Sequence, residues 1–353
     1  MRNDAQWLAL LGRRDDPRPA TRALCKHLGF NVSSHHASHG RRGPRILDLF
    51  PYNGEASLLE LRRLELSGVV SQHAHTLNAE AFSGDRRAVA DSSDDALMAV
   101  RIEPAEMQRL CGHVREGKRR NFCRESLVRN SLARAVDALR AADADWVLVS
   151  DADEVPDGAV VRVLSECDVP HEALVFRSHR HFMWSTRCVV TGGQKQYWTS
   201  SNPRLAIGPV AVRVATMRRF GLQAIRKTRY DCHAVGPHAS CTAEPAKFVL
   251  PPSAWHLSSC MSSAAAVHKL HTFSDPMHTR WSEAAALALG ATTRAATNGT
   301  LQARIAEVDR LRAGCLDPKG YSRLARMPQP LREYPDVPRA LASNAERFAD
   351  MML

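Results

Sequence analysis

The amino-acid sequence predicts an α/β protein, a mixed and mostly parallel sheet flanked by helices. Three stretches carry that expectation. Ile46-Leu47-Asp48-Leu49-Phe50 is an apolar run of strand length, closed by Pro51-Tyr52-Asn53-Gly54. A leucine-rich helical pattern follows and leads into a second extended run. Further on, an amphipathic segment over 122–142 leads into Trp146-Val147-Leu148-Val149. Strand and helix in alternation is the pattern of parallel strands joined by right-handed crossovers.

Residues 1–44 are rich in Arg, Asp, Ser and His and end at Gly43-Pro44. They are expected to form a poorly ordered leader with one helix near 20–28. His35, His36 and His39 lie in a Ser/Gly/Arg-rich part of it without helical spacing, so they read as a flexible polar tail. The globular domain is expected over 45–315. After its first strand, Leu58, Leu61 and Glu65 share one side of a helix, and Leu59, Leu64 and Leu66 fill most of the other. Gly68 ends it. Val69 to Leu77 is the next strand, diluted by His73 and His75.

The region 85–118 is polar and has no clear period. Lys118-Arg119-Arg120 reads as a solvated helix start. Val128, Leu132, Ala135, Val136 and Leu139 then recur at helical spacing, with Arg124, Arg134 and Asp137 opposite. Past Pro156 a short helix runs to about Glu166. Leu174 to Phe176 is a strand continuing toward Trp184, and Gly192-Gly193 is a turn. Pro203 to Ile207 and Val210 to Val214 read as an antiparallel strand pair. The chain over 217–250 is basic and irregular. Trp255-His256-Leu257-Ser258 stands as an isolated aromatic segment, and helices follow at 262–273, 281–290 and 300–313. Residues 316–353, Pro-rich over 327–338, are expected to wrap the domain as an extended segment.

The chemistry concentrates after Val149. Ser150-Asp151-Ala152-Asp153-Glu154-Val155-Pro156 follows the apolar strand directly. In extended chain, side chains at i and i+2 point the same way, so Asp151 and Asp153 would project together from a carboxyl strand end. Ligands bind at such ends in open α/β sheets. Two hard oxygen ligands side by side suit Mg²⁺ or Mn²⁺. The same tripeptide also occurs in turns, where Asp bonds its own backbone.

With 353 residues the chain can bury a sizeable core. Its formal net charge of +11 favours anionic partners, although solubility accounts for much of such an excess. Charge is the only feature that suggests nucleic acid, and zinc-finger and RNA-recognition patterns are absent, so no nucleic acid is expected. None of the nine cysteines forms a C-x-x-C pair, which argues against a zinc ribbon, and their spacing leaves the redox compartment open. No apolar run reaches the ~20 residues of a membrane helix. Asn31-Val32-Ser33 and Asn298-Gly299-Thr300 fit the glycosylation acceptor pattern.

Several blocks together resemble glycosyltransferase family 17, which contains β-1,4-mannosyl-glycoprotein 4-β-N-acetylglucosaminyltransferases. Asp48-Leu49-Phe50-Pro51-Tyr52-Asn53-Gly54-Glu55 with Leu58 to Arg62 looks like the family's opening. Phe82-Ser83-Gly84, the helix residues Glu125, Arg129, Asn130 and Leu132, and Asp151-Ala152-Asp153-Glu154-Val155-Pro156 follow in family order. So do Trp255 to Ser258, Lys269-Leu270 and Phe273-Ser274, which places the similarity over about 45–285. Leu77 stands near where a carboxylate commonly ends the family's second strand. Ala81 replaces Thr, Val128 replaces Gln, and Asp275 and Met277 stand where His and Glu often follow.

The resemblance implies a nucleotide-diphospho-sugar transferase (GT-A-like) fold and inverting transfer of N-acetylglucosamine from UDP-N-acetylglucosamine. The acceptor it implies is a glycan or glycoprotein, at the β-mannose of an N-glycan. It implies Mn²⁺ or Mg²⁺ on Asp151 and Asp153, and a Golgi or endomembrane lumen. Arg129 and Arg204 are candidate phosphate contacts. Asp48 either serves the uridine side or satisfies an Arg, and Glu55 either touches substrate or begins a helix. Trp255 is either core or a substrate wall. His256 is either a satisfied buried histidine or a pyrophosphate contact. Glu154 and Asp275 compete as general base. The departures leave a second reading open, a carbohydrate-binding relative that has lost catalysis.

Overall fold

The computed structural model describes residues 7, 9, 11, 17–33, 43–78, 97–115, 117–193, 207–228, 247–272, 301–316, 322–331, 333 and 335–352. Helix α1 (Pro17–Leu28) leads into a two-residue strand β1 (Asn31–Val32) that pairs antiparallel with Cys167 and Asp168. Leu24, Cys25 and Leu28 are buried, with Trp7 and Leu11 ahead of them, and Cys25 is disulfide-bonded to Cys167. Where a poorly ordered leader was expected, this part of the chain is built into the core. Its apolar residues lie on one side of a basic helix, so average polarity hides them.

Strand β2 (Ile46–Phe50) is buried at every residue. It is followed by helix α2 (Ala56–Glu65), β3 (Gln72–Asn78) and β4 (Leu97–Ile102). The turn before α2 contains Gly54 at φ +91°, a conformation that favours glycine. Helices α3 (Pro104–Cys111), α4 (Lys118–Ser131) and α5 (Ala133–Ala138) return the chain to β5 (Trp146–Val149). The single helix expected over 122–142 is thus two. Ser131 donates its hydroxyl to the Val128 carbonyl at 2.8 Å, a local bond that competes with the helical ladder where the axis breaks.

These four strands are parallel and lie in the order β4-β3-β2-β5. The chain steps outward from β2 to β3 and β4, then returns to the other side of β2. The order therefore reverses between β2 and β5, and the loops after both strands leave the same sheet edge.

After β6 (Glu154–Pro156), short helices α6 (Gly158–Val161) and α7 (Val163–Glu166) lead through β7 (Cys167–Asp168) to β8 (Ala173–Met183). β9 (Ser185–Gly193) doubles back on β8, so Gly192 and Gly193 end a strand. β10 (Ile207–Arg213) inserts antiparallel between β5 and β8 as one strand where two were expected; residues 203–206 and the helix expected at 281–290 lie outside the described residues.

The segment read as irregular begins with α8 (Val214–Phe220) and α9 (Leu222–Thr228), separated by Gly221 at φ +77°. Val214, Met217, Leu222 and Ile225 are buried, while the basic residues crowd the last turns, where they suit the helix dipole.

Trp255 to Ser258 are the end of the twelve-residue strand β11 (Lys247–Ser258), parallel to β8 and antiparallel to β6. Pro251 and Pro252 lie inside it, and the register with β8 shifts there. Helices α10 (Ser263–Thr272) and α11 (Leu301–Gly314) follow. The C-terminal segment adds β12 (Ser322–Arg326) to the sheet edge beside β9, then helices α12 (Arg339–Ser343) and α13 (Ala349–Met352). It is therefore not only extended. Leu341, Phe348 and Met351 pack with Leu58 and Leu61 of α2 and with Val267 of α10.

Candidate active site

The loops that follow β2 and β5 meet where the strand order reverses, the usual ligand position of an open α/β sheet. Below that point one arginine ties the loops together. Arg62 of α2 is fully buried and chelates Asp48 of β2, with Nε 2.6 Å from Oδ2 and Nη2 2.5 Å from Oδ1. The same guanidinium donates to Ser150 Oγ at 2.6 Å and to the carbonyls of Glu154 at 2.7 Å and Asp151 at 3.3 Å. His73 Nδ1 adds a contact to Asp48 at 2.8 Å. Burial alone would raise the Asp48 carboxyl, but Arg62 and His73 outweigh it and hold it at about 2. Asp48 thus satisfies an arginine, one of the two roles read for it.

The residues 151–154 form a tight turn, with Glu154 N–H donating to the Asp151 carbonyl at 3.1 Å. Asp151 is the open carboxylate, with 40% of its side chain exposed. Its Oδ1 accepts from Arg129 Nη1 at 2.9 Å and its Oδ2 from Arg226 Nη2 at 2.6 Å. Arg226 Nη2 also reaches Glu154 Oε1 at 2.6 Å. Arg129 is supported by Glu125 at 2.9 Å and by Gln223 Oε1 at 2.7 Å. Asn130 Oδ1 accepts from the Gln223 N–H at 2.9 Å, which docks α9 onto α4.

Asp153 points the other way. Its Oδ2 meets Lys269 Nζ of α10 at 2.7 Å, and Lys269 extends to Glu55 Oε1 at 3.4 Å. His256 Nε2 lies 3.7 Å from Asp153 Oδ1 and 3.0 Å from Ser258 Oγ. His181 stacks on His256 with ring centroids 4.2 Å apart and shares Ser258 Oγ at 3.0 Å. Burial opposes the charged form of Asp153, yet Lys269 and His256 hold its carboxyl far below the usual range. Burial likewise opposes the Lys269 ammonium, and Asp153 with Glu55 keeps it charged. His181 is kept neutral first by burial and then by His256.

The structure thus gathers Asp151, Asp153, Glu154, Glu55, Arg129 and His256 around one loop. It differs from expectation at Asp151 with Asp153 and at Glu154, whereas Trp255 takes the first of its two expected roles. Asp151 and Asp153 diverge onto separate cationic partners, because the chain turns at 151 where extension was assumed. Glu154 is buried at 1% exposure, ion-paired to Arg226, and accepts the Asp151 N–H at 3.2 Å, so it holds the loop and is not placed as a base. Trp255 is fully buried, stacked by His179 and donating to the Pro335 carbonyl at 2.9 Å, which makes it core. Glu55 precedes α2 without capping it and accepts the Asn53 N–H at 2.7 Å. Arg204 and Asp275 lie outside the described residues. Sequence reasoning missed Arg62, Arg226 and Lys269 as site residues. Arg62 and Lys269 stood in blocks that carry the family resemblance without a role assigned, and Arg226 lay in a stretch read as irregular.

Among the described residues, five carboxylates (Glu55, Glu125, Asp151, Asp153, Glu154) meet three cationic side chains (Arg129, Arg226, Lys269). No group of three His, Cys, Asp or Glu among them is arranged to hold a metal by itself. The exposed Asp151 could give a Mg²⁺-like ion at most one carboxylate, in exchange for a guanidinium, with substrate oxygens and water making up the rest of its shell.

A mixed sheet flanked by helices, with an acidic loop and clustered arginines at its switch point, defines a class, an α/β protein whose candidate site lies at that point. The profile of glycosyltransferase family 17 matches residues 18–204, more than half of the chain, and the chain belongs to that family. It is a glycosyltransferase and takes a sugar donor and an acceptor. The match begins within α1, in keeping with the place of that helix in the core. A comparison with curated proteins returns no match. No described helix is long and apolar enough to cross a membrane.

Proposed function

We propose that this chain transfers N-acetylglucosamine from UDP-N-acetylglucosamine, with inversion, to a glycan, the β-mannose of an N-glycan by family resemblance. The observation that supports it best is the acidic Asp151 loop at the strand-order reversal, ringed by Arg129, Arg226 and Lys269. The fold is then of the nucleotide-diphospho-sugar transferase type. Of the two aspartates expected to hold Mn²⁺ or Mg²⁺, Asp151 is the one open to solvent, and Asp153 would have to leave Lys269 to join it. Such an ion supplies positive charge to the departing diphosphate. Arg129 and Arg226 add guanidinium donors that match phosphate oxygens. Glu154 keeps Asp151 at the mouth of the site, Lys269 orients Asp153, and Arg62 keeps the loop seated over β2.

Three disulfides among the described residues, Cys25–Cys167, Cys111–Cys123 and Cys188–Cys315, support an oxidising compartment such as the Golgi or endomembrane lumen. The test is transfer to an N-glycan acceptor with UDP-N-acetylglucosamine and Mn²⁺, read by mass spectrometry as the gain of one N-acetylhexosamine. Asp153→Ala and Asp151→Asn should each lower turnover by roughly 10²–10³-fold. An acceptor that binds and is never extended would instead establish a carbohydrate-binding relative that has lost catalysis.

A further inference from the structure

We propose that Asn31 is a modification site and carries an N-linked oligosaccharide. The inference rests on the lumenal compartment put forward above, because the acceptor pattern matters only in a chain that enters the secretory route. Asn31-Val32-Ser33 supplies the pattern, and the fold supplies what a pattern lacks. Asn31 is exposed in β1, whereas Phe30 before it and Ser33 after it are buried, at 5% and 6% exposure. Phe30 meets the Phe248 ring edge-on with centroids 5.4 Å apart, and the Ser33 N–H donates to the Glu166 carbonyl at 2.9 Å. Asn31 thus projects from a segment anchored on both sides. Opposite it in β7, Asp168 is exposed as well, so a bulky hydrated group at Asn31 displaces no core contact.

The order of synthesis sets the moment of modification. In the folded chain Ser33 is buried, so asparagine and hydroxyl can be recognised together only before β1 docks. Docking needs β7, and the tether at Cys25 needs Cys167, 142 residues further on. At about 5–20 residues per second, β1 waits on the order of 10 s for that partner. During this interval the segment is free to extend, and extension brings the side chains of Asn31 and Ser33 to the same side. The oligosaccharide comes from a lipid-linked diphospho-oligosaccharide. Asn31 Nδ2 forms a bond to the anomeric carbon of the first sugar and gives up one proton. The bond from that carbon to the diphosphate breaks, and the lipid diphosphate leaves. Once attached, the glycan covers the open edge of β1, which among the described residues pairs with β7 alone.

The experiment isolates the full chain from the secretory route of a eukaryotic cell. Its peptides are mapped before and after an amidase that releases N-linked glycans and leaves Asp in place of Asn. Alkylation of the same sample without reduction reads the disulfides. The Asn31 peptide should be lost in its unmodified form and appear with Asp at that position only after release. Asn298 falls outside the described residues and is read on a separate peptide. Asn31→Gln and Ser33→Ala should each abolish the modification, and Ser33→Thr should retain it. Asn31→Gln changes an exposed side chain and should leave Cys25 bonded to Cys167. Unmodified Asn31 in a chain whose Cys25–Cys167 bond has formed overturns the proposal and leaves the lumenal reading standing. Unmodified Asn31 with both of those thiols free overturns the two together. Asp at this position before the release step is deamidation only and overturns the proposal, as does a glycan that persists in Ser33→Ala.

Discussion

Replacing Arg62 by Met tests the centre of the fold and of the site at once. Met fills much of the same volume and keeps the apolar stem, so the change removes mainly charge and hydrogen bonds. Two of those bonds hold Asp48, one holds Ser150, and two hold the carbonyls of Asp151 and Glu154. Asp48 is fully buried and would lose its main counter-charge. Removing one partner of a buried ion pair costs about 3–5 kcal/mol. The lowering of Asp48 from 3.8 to about 2 accounts for on the order of 2 kcal/mol of that, and the loop contacts supply the rest. At roughly 2 °C per kcal/mol for a chain of this size, the melting temperature should fall by roughly 6–10 °C.

The pH dependence makes this prediction sharp. In the wild type the Asp48 carboxyl is lowered, so its contribution is complete above the ordinary carboxylate value and is lost as pH falls through about 2. Without Arg62 burial dominates, and the carboxyl takes up a proton well above that value. The Arg62→Met protein should therefore recover relative stability on acidification. Urea unfolding at pH 7 and pH 4 should show the gap between the two proteins narrowing, and Asp48→Asn in the Arg62→Met background should restore part of the loss at pH 7. A gap that stays constant with pH would refute the reasoning.

Two further outcomes follow from groups away from the acidic loop. Glu65 is pushed up to about 7, first by burial and then by Asp157 beside it, against hydrogen bonds from the Ala340 and Gly158 N–H groups and the charge of Arg339. Its folded value lies above 4.5, so it stabilises the fold fully below that pH and loses about 3 kcal/mol as pH rises through about 7. Glu65→Gln should flatten the stability profile between pH 5 and 8 in urea titrations, and an unchanged slope would count against a shifted Glu65. Cys25→Ser opens a bond that spans 142 residues and ties α1 to β7; it should lower stability by about 2–5 kcal/mol, and an unaltered thermal transition would mean that α1 needs no tether.

Much of the sheet was legible because its parallel strands are buried on both faces. Ile46–Phe50 and Trp146–Val149 read as short apolar runs for that reason, and the helices between them show their periodicity plainly. The elements that were missed hide the same signal. α9 sets its buried residues among Arg226 and Lys227, and β11 carries two prolines at register shifts. Helix α1 joins the core through an apolar side and a disulfide whose partner lies 142 residues away.

Family and α/β class were readable in the order of the residues alone. That order also marked the place of Asp151 and Asp153 after a buried strand, because strand and helix periods and a contiguous motif are local properties. What those carboxylates touch depends on how the chain folds around them. Arg62, Arg129, Arg226 and Lys269 come to the loop from four separate helices, and their charges have meaning only at hydrogen-bond distance. A turn at 151–154, set by Arg62 beneath it, sends the two aspartates to different partners where an extended chain would have paired them. Electrostatic roles depend on separation through space, and sequence spacing does not encode that separation.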